Sequence, residues 1–291
     1  MGAGVGTRVG IIGPGRVGTA LAIGLADSQD YTVAAVAGRS AKGLRHFARV
    51  APDAAVMDAR ELAQLVELIL ICVADDDLED VVRDLAKADA FATGVKVAHT
   101  AGGHGLGVLH LAALAGARVA ACHPAQTFPD PETGAAGLVG TAWAVTAAPA
   151  DFQWAADLVQ ALFGTPVEIA DSARTLYHAA LALGANGTSS VVALARELLL
   201  AAGVAKPEEF LEPLVSAAGR NAARHGAAAL TGPVRRGDAG TVARHLVELG
   251  IVMPDAAEAY LALAKLALRQ ALRAGLPQER AEAVRVLLEE G

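Results

Sequence analysis

A doubly wound parallel α/β sheet followed by an all-helical domain is the fold class this sequence predicts, and three observations predict it. The first is an apolar run ending at Ile12, followed by Gly13-Pro-Gly-Arg-Val-Gly18 and then by apolar residues at helical spacing, which puts three glycines in a strand-to-helix turn. The second is repetition: short β-branched runs alternate with amphipathic segments as far as Ile169. The third is where this stops. From Asp171 onward the pattern is helical, with breaks near residues 203–207, 231–233, 250–254 and 275–277. The boundary is therefore expected near Ser172, with a dinucleotide-binding domain over 1–171 and a helical substrate and dimerisation domain over 172–291.

The glycines of the first turn have separate tasks. Gly13 permits the tight turn, Gly15 lets backbone approach a pyrophosphate, and Gly18 lets the helix pack on the strand. The helix N-terminus offers free N–H groups to phosphate, so Arg16 and Val17 join the three glycines as candidate cofactor residues. The second strand is expected over Tyr31 to Ala37, closed by Gly38-Arg39-Ser40. A site for NAD usually places a carboxylate there for the ribose 2′-OH, whereas an arginine accommodates a 2′-phosphate. This sequence has Arg39 and Ser40, with Lys42 nearby and no acid, and therefore points to NADP.

Asp58-Ala-Arg-Glu61 has the form of a capping box ahead of the strand Leu68 to Val73. After that strand, Ala74 enters the cofactor set, and Ala74-Asp75-Asp76-Asp77 reads as the cap of a helix bearing Leu78, Val81, Val82 and Leu85, its acids complementing the helix dipole. A strand over Val95 to Ala98 delivers His99-Thr100-Ala-Gly-Gly-His104, and one over Arg118 to Cys122 delivers His123-Pro-Ala-Gln-Thr-Phe128. Both polar clusters stand at carboxyl ends of strands, the edge where open α/β sheets bind ligands. His99 is assigned to the cofactor; Thr100 and His123 are candidate hydrogen-bond donors to substrate. The stretch 124–140 is longer than the roughly 12 to 15 residues of an idle connection, which implies a functional or mobile segment. Further strands are expected over Thr141 to Thr146 and Pro166 to Ile169.

The helix expected from Ser172 to Ala202 carries Tyr177, His178 and Asn186 on an Ala/Leu/Val surface. Steps of four from 178 to 186 place His178 and Asn186 within about 80° of each other, two turns apart, so that both can face one cleft. Further on, Arg235 and Arg236 can clamp a carboxylate or lie solvated on a surface turn, and Asp238 can cap a helix.

Composition narrows the function classes. The 291 residues are 54% hydrophobic and 4% aromatic with a net charge of -7. Without a basic block, nucleic acid and anionic membranes are not expected partners. The longest apolar run, Leu68 to Ala74, is far short of the ~20 residues that span a bilayer. A cytoplasmic protein is expected. Cys72 and Cys122, inside apolar runs, read as buried thiols rather than a disulfide framework. The other basic residues are scattered and mostly read as helical surface positions, and residues 1–7 read as a glycine-rich lead.

These motifs together, Gly-Pro-Gly-Arg-Val-Gly18, His99-Thr100, His123-Pro-Ala-Gln-Thr-Phe128, Tyr177-His178, Asn186 and Leu230-Thr-Gly-Pro-Val-Arg-Arg-Gly-Asp238, resemble those of the predicted oxidoreductases with a DUF2520 C-terminal domain. That family is similar to the wider 6-phosphogluconate and 3-hydroxyacid dehydrogenase superfamily, and some of its relatives are regarded as atypical ketopantoate reductases. The resemblance implies a hydride donor on the Rossmann domain and an active site closed by the first long C-terminal helix. It matches Asn186 to the superfamily's substrate-orienting asparagine. The superfamily's helix lysine has no counterpart, because the chain contains no lysine between Lys96 and Lys206; its role passes to His178 or disappears.

The function expected is thus NADPH-dependent reduction of a small oxo acid, with ketopantoate the leading substrate on resemblance alone, by a homodimer. His178 would be the general acid, with Asn186, Thr100 and His123 as donors to the developing alkoxide. Two other readings stay open. One is imine reduction of the pyrroline-5-carboxylate reductase type, which needs less acid help. The other is a non-catalytic NADPH-binding sensor or partner protein.

Overall fold

The computed structural model describes residues 6–290, so most of the glycine-rich lead lies outside the described residues and Thr7 already begins a strand. Two compact units are present, Met1–Ala185 and Asn186–Gly291. In the first, the elements run β1 (Thr7–Ile12), α1 (Arg16–Leu25), β2 (Tyr31–Ala37), α2 (Ala41–Val50), β3 (Ala55–Val56), α3 (Ala59–Leu65), β4 (Leu68–Ile71), α4 (Asp75–Lys87) and β5 (Lys96–His99). They continue through α5 (His110–Leu114), β6 (Arg118–Pro124), α6 (Pro131–Ala136), β7 (Ala142–Ala147), α7 (Phe152–Ala161), β8 (Thr165–Glu168) and α8 (Arg174–Ala182).

The strands form one sheet in the order β3-β2-β1-β4-β5-β6-β7-β8, with the switch in winding direction beside β1 and β4. Period-two alternation is what covers both faces. Val9, Ile11, Leu68 and Leu70 pack on one side against Leu21, Leu25, Trp154 and Leu158; Ile12, Ile69 and Ile71 pack on the other against Leu62, Leu78, Val82 and Leu85. The doubly wound parallel sheet expected from the sequence is present, with one antiparallel pairing toward its edge. β7 pairs antiparallel with β6, and β8 parallel with β7, so the last two strands run against the other six. The physical reason lies in the connections. The chain returns from β6 through the 124–140 stretch without crossing the sheet as a βαβ unit would, whereas β7 and β8 are joined by the crossover helix α7.

That stretch contains a helix of its own. Asp130 caps α6 by accepting from the Thr133 N–H at 2.7 Å, and α6 packs on α1. The acidic triplet departs from expectation in one respect: Asp75, Asp76 and Asp77 occupy the first turn of α4, but none caps it, since Ala74 is the N-cap. Asp58 does cap α3, through the Arg60 N–H at 2.8 Å. Cys72 and Cys122 are buried free thiols, both pushed up to about 12 by burial.

The sheet ends at Glu168, close to the boundary read from the sequence, yet the compact unit extends to Ala185 rather than stopping at 171. Arg174 is the reason. The residue is 1% exposed and its guanidinium bonds backbone of β6 and β7, so α8 is tied to the sheet.

The helix expected over 172–202 runs as helical backbone from Asp171 to Ala201 but changes type on the way. Residues Leu183–Gly187 form a π-helical turn, at a site rich in the poor helix formers Gly184, Asn186 and Gly187. The constant 100° step that put His178 and Asn186 on one face is therefore interrupted between them.

The second unit comprises α9 (Thr188–Ala201), α10 (Glu208–His225), α11 (Gly232–Arg236), α12 (Ala239–Val252), α13 (Pro254–Arg273) and α14 (Gln278–Glu290). Its core is built by the last four, from Val234, Val242, Leu268, Val284 and Leu288 among others, while α9 and α10 contain no buried residue. The expected breaks at 203–207 and 275–277 fall between helices, whereas those at 231–233 and 250–254 overlap helix ends, with Thr231 before α11 and Met253 between α12 and α13. No helix of the described residues is long and apolar enough to cross a membrane.

Candidate functional site

At the carboxyl end of β1 the glycine turn has the conformation its residues require. Gly13 has φ +106°, and a Cβ there would lie 2.7 Å from the Cys72 carbonyl carbon, so both the backbone angle and the space demand glycine. A Cβ at Gly18 would overlap the Gly13 carbonyl oxygen, which explains how α1 seats so close to the turn. Gly15 differs: a Cβ there meets nothing within 4 Å. The open space in front of Gly15 belongs to a cavity of about 980 Å³, at the upper end of the range for ligand sites.

Of the expected cofactor residues, Gly13, Gly15, Arg16, Arg39, Ser40 and Ala74 line this cavity. Gly15 is the N-cap of α1 and has no side chain to bond the first-turn N–H groups, which suits a phosphate. The Ser40 hydroxyl accepts from the Gly43 N–H at 3.1 Å as the cap of α2, and its own O–H is left to donate. Lys42 and Arg60 add further cations. The donor set and the bare Gly15 fit a dinucleotide with a 2′-phosphate.

Three expectations are corrected here. Val17 does not line the cavity; it packs half-buried against the core on the sheet side of α1. His99 does not line it either. It is 0% exposed, with Nδ1 accepting from the Ala101 N–H at 3.2 Å and Nε2 donating to the Gly105 carbonyl at 3.0 Å, so it folds the following loop back on itself. The carboxylate read as missing opposite Arg39 is present. Asp77, from the first turn of α4, accepts an ion-paired hydrogen bond from the Arg39 guanidinium.

The loop 100–106 between β5 and the next turn is gripped from several sides. Asp171 accepts from the Leu106 N–H at 2.6 Å, and Arg174 reaches the Gly102 carbonyl at 3.4 Å. Gly102 is glycine because a Cβ would lie 2.5 Å from His178 Cδ2 and 2.9 Å from His123 Nε2. His123, His178 and the loop are thereby brought together. The ring of His123 stands edge-on to those of Tyr177 and His178, with centroids 5.7 and 5.8 Å apart, and its Nδ1 shares a hydrogen bond of 2.9 Å with the Tyr177 hydroxyl. Thr100 sits half-buried at the start of the loop, its N–H donating to the Ile71 carbonyl. Asn186 belongs to the second unit, is exposed, and takes a hydrogen bond from Ser190 on its carbonyl.

Beneath this cluster lies a residue the sequence reading missed. Arg174 donates from Nε to the Thr146 hydroxyl at 2.9 Å and from its terminal nitrogens to the carbonyls of Ala121, Ala144 and Gly102. No carboxylate among the described residues hydrogen-bonds it; backbone and hydroxyl dipoles take its hydrogen bonds, and the Asp171 charge favours the cation from a distance. In the sequence it is one of the scattered basic residues expected at surface positions; the available signal is its spacing, three and four residues before Tyr177 and His178 on one helix face. Arg235 is also committed to backbone, donating to the Ala274 carbonyl at the end of α13, while Arg236 is exposed. Asp238 caps α12 through the Thr241 N–H at 3.0 Å, as expected.

Burial lowers His123 to about 4, with help from His178, Arg174 and His99. Burial likewise lowers His99 to about 4 against the opposing hydrogen bond to Gly105. Both are neutral at pH 7. The unfolded chain protonates these imidazoles near 6.5, so between about 6.5 and 4 it binds more protons than the folded one, and stability falls as the pH is lowered through that interval. The melting temperature should be level near pH 7 to 8 and drop below about 6.5, with each histidine contributing up to about 3 kcal/mol at the acid end. A melting temperature independent of pH across that interval would contradict the placement of both rings.

A Rossmann-like domain family matches residues 5–124, and DUF2520, a domain of unknown function, matches residues 141–267. Among solved structures the chain is similar to protein BF3122 from Bacteroides fragilis, described as an NADP oxidoreductase, with 21% identity over 91% of this chain and 98% of that one and a TM-score of 0.78. It is also similar to an imine reductase from Myxococcus stipitatus in complex with NADP+, at 18% identity over 92% and 95% of the two chains with a TM-score of 0.65. A pyrroline-5-carboxylate reductase from Coxiella burnetii shares 17% identity over 93% and 99%, with a TM-score of 0.56. At these identities the likeness shows a shared fold. No curated protein matches the chain in sequence.

Proposed function

We propose that this chain, a Rossmann-like domain joined to a DUF2520 domain, is an NADPH-dependent oxidoreductase that reduces a small oxo acid. The observation that carries the reading is the glycine turn: Gly13 and Gly18 are glycine for reasons internal to the protein, whereas Gly15 faces a cavity that also holds Arg39, Ser40 and Lys42. When bound, the cofactor supplies a hydride for the carbonyl carbon. The carbonyl oxygen then takes a proton, for which the reading assigns His178. The neutral His123 orients its ring through Tyr177, and Thr100 is a further donor at the same sheet edge. Asn186 keeps the substrate-orienting role that the family resemblance gives it. Ketopantoate is the leading substrate.

A second reading, imine reduction, is favoured by the names of two similar structures, an imine reductase and a pyrroline-5-carboxylate reductase. It is favoured too by the lack of a helix lysine, since an iminium arrives already protonated. Following NADPH absorbance with the purified protein against ketopantoate, pyrroline-5-carboxylate and a panel of short 2-oxo and 3-oxo acids tests both. Turnover of pyrroline-5-carboxylate alone selects the second reading. NADPH binding without turnover of any of them leaves a cofactor-binding sensor. The protein is further read as a homodimer, because α9 is apolar over most of its length and none of its residues is buried.

A further inference from the structure

Arg39 is the cation best placed by sequence to meet a 2′-phosphate, yet its guanidinium is not free. It is paired with Asp77, which reaches the same cavity from the first turn of α4, 38 residues away in the chain. Both side chains remain solvent-accessible, at 83% for Arg39 and 36% for Asp77. The neighbouring carboxylates are otherwise employed or turned elsewhere: Asp58 caps α3, Asp80 pairs with Arg83 at 2.6 Å, and Asp75 and Asp76 do not line the cavity. Asp130 caps α6 and Asp84 also lines the cavity, but among the described residues Asp77 is the carboxylate that hydrogen-bonds Arg39.

We propose that Asp77 is a specificity-determining residue that works against the 2′-phosphate and narrows the preference for NADPH over NADH. The inference rests on the NADPH reading above and assigns to α4 the carboxylate that β2 lacks. A 2′-phosphate must share Arg39 with Asp77 or draw it away, and in either case sits beside a carboxylate as a dianion, which costs affinity. A ribose 2′-OH carries no charge and can donate to the same carboxylate, so NADH escapes that repulsion. Asp77 therefore loads its penalty on one cofactor only. Because the pair is exposed, the effect is modest, about threefold to tenfold, and shrinks as salt screens it.

Calorimetric titration of the full-length protein with NADPH and with NADH tests this without any need for a substrate. Asp77→Asn should bind NADPH about threefold to tenfold more tightly than the parent at low salt, while NADH affinity stays the same or weakens. Asp76→Asn is the control, because it removes one carboxylate from the same helix turn outside the cavity; it should leave both affinities within about twofold of the parent. The inference is overturned if Asp77→Asn leaves NADPH affinity unchanged or lower, if NADH gains equally, or if Asp76→Asn produces the same gain. A parent protein that binds neither cofactor overturns the NADPH reading and this inference with it. Equal melting temperatures for the two variants keep differences in folding out of the comparison.

Discussion

Gly15→Val leaves the protein folded and removes NADPH binding. The two halves of that result have different causes. The fold should survive because a Cβ at position 15 points into open space, with nothing beyond its chain neighbours within 4 Å, and Gly15 has φ -84°, an angle that valine adopts without strain. Binding is lost because the isopropyl group stands in the space the pyrophosphate must enter, and blocks its approach to the first-turn N–H groups of α1. A loss of at least about 100-fold in affinity is expected. Gly18→Ala provides the contrast, since its methyl group overlaps the Gly13 carbonyl oxygen and should destabilise the turn itself. Measuring thermal midpoint and NADPH affinity on both variants separates a ligand's space from a packing contact. Unchanged binding by Gly15→Val would mean that the cavity takes something else.

His178→Ala should lower kcat for the true substrate by roughly 10² to 10⁴ while NADPH affinity stays within about twofold. His178 lies in the loop-facing cluster, against Gly102 and Gly103 and edge-on to His123, and it does not line the cofactor cavity. Its ring is only half-buried, so truncation should cost stability on the order of 1 kcal/mol, too little to explain a loss of that size. If the residue serves packing alone, activity and thermal midpoint will fall together and modestly. A stable His178→Ala protein with parental kcat would remove this residue from the reaction and leave His123, with its Tyr177 partner, as the group to test.

The parts legible in the sequence share one property: each is settled by residues within a turn or two of one another. Glycine spacing between Gly13 and Gly18 follows from local backbone sterics, and the alternation of Leu68 to Ile71 follows from the pleat of a strand covered on both faces. Asp238 could be read as a cap because capping is a three-residue matter. Even the end of the alternating pattern near Ile169 lay within reach, since β8 closes at Glu168.

What only the tertiary structure decided depends on pairs far apart in the chain. The Asp77 carboxylate opposite Arg39 comes from a different βα unit, so inspection of the β2 loop alone finds no acid. Arg174 reads from the sequence as one more scattered cation, because its partners at Ala121, Ala144 and Gly102 are 53, 30 and 72 residues away and are backbone carbonyls, which no residue identity announces. The direction of β7 was hidden for a related reason: β-propensity and period two are the same in parallel and antiparallel strands, and direction is set by the path of the connection. His99 and His123, alike in sequence as histidines at strand ends, were separated by burial. One has both nitrogens bonded to its own loop, while the other shares its Nδ1 with Tyr177 and turns its Nε2 toward Gly102. Side-chain identity supplies the chemistry a group can do, and the burial and partners that select among those chemistries arise only when distant segments pack.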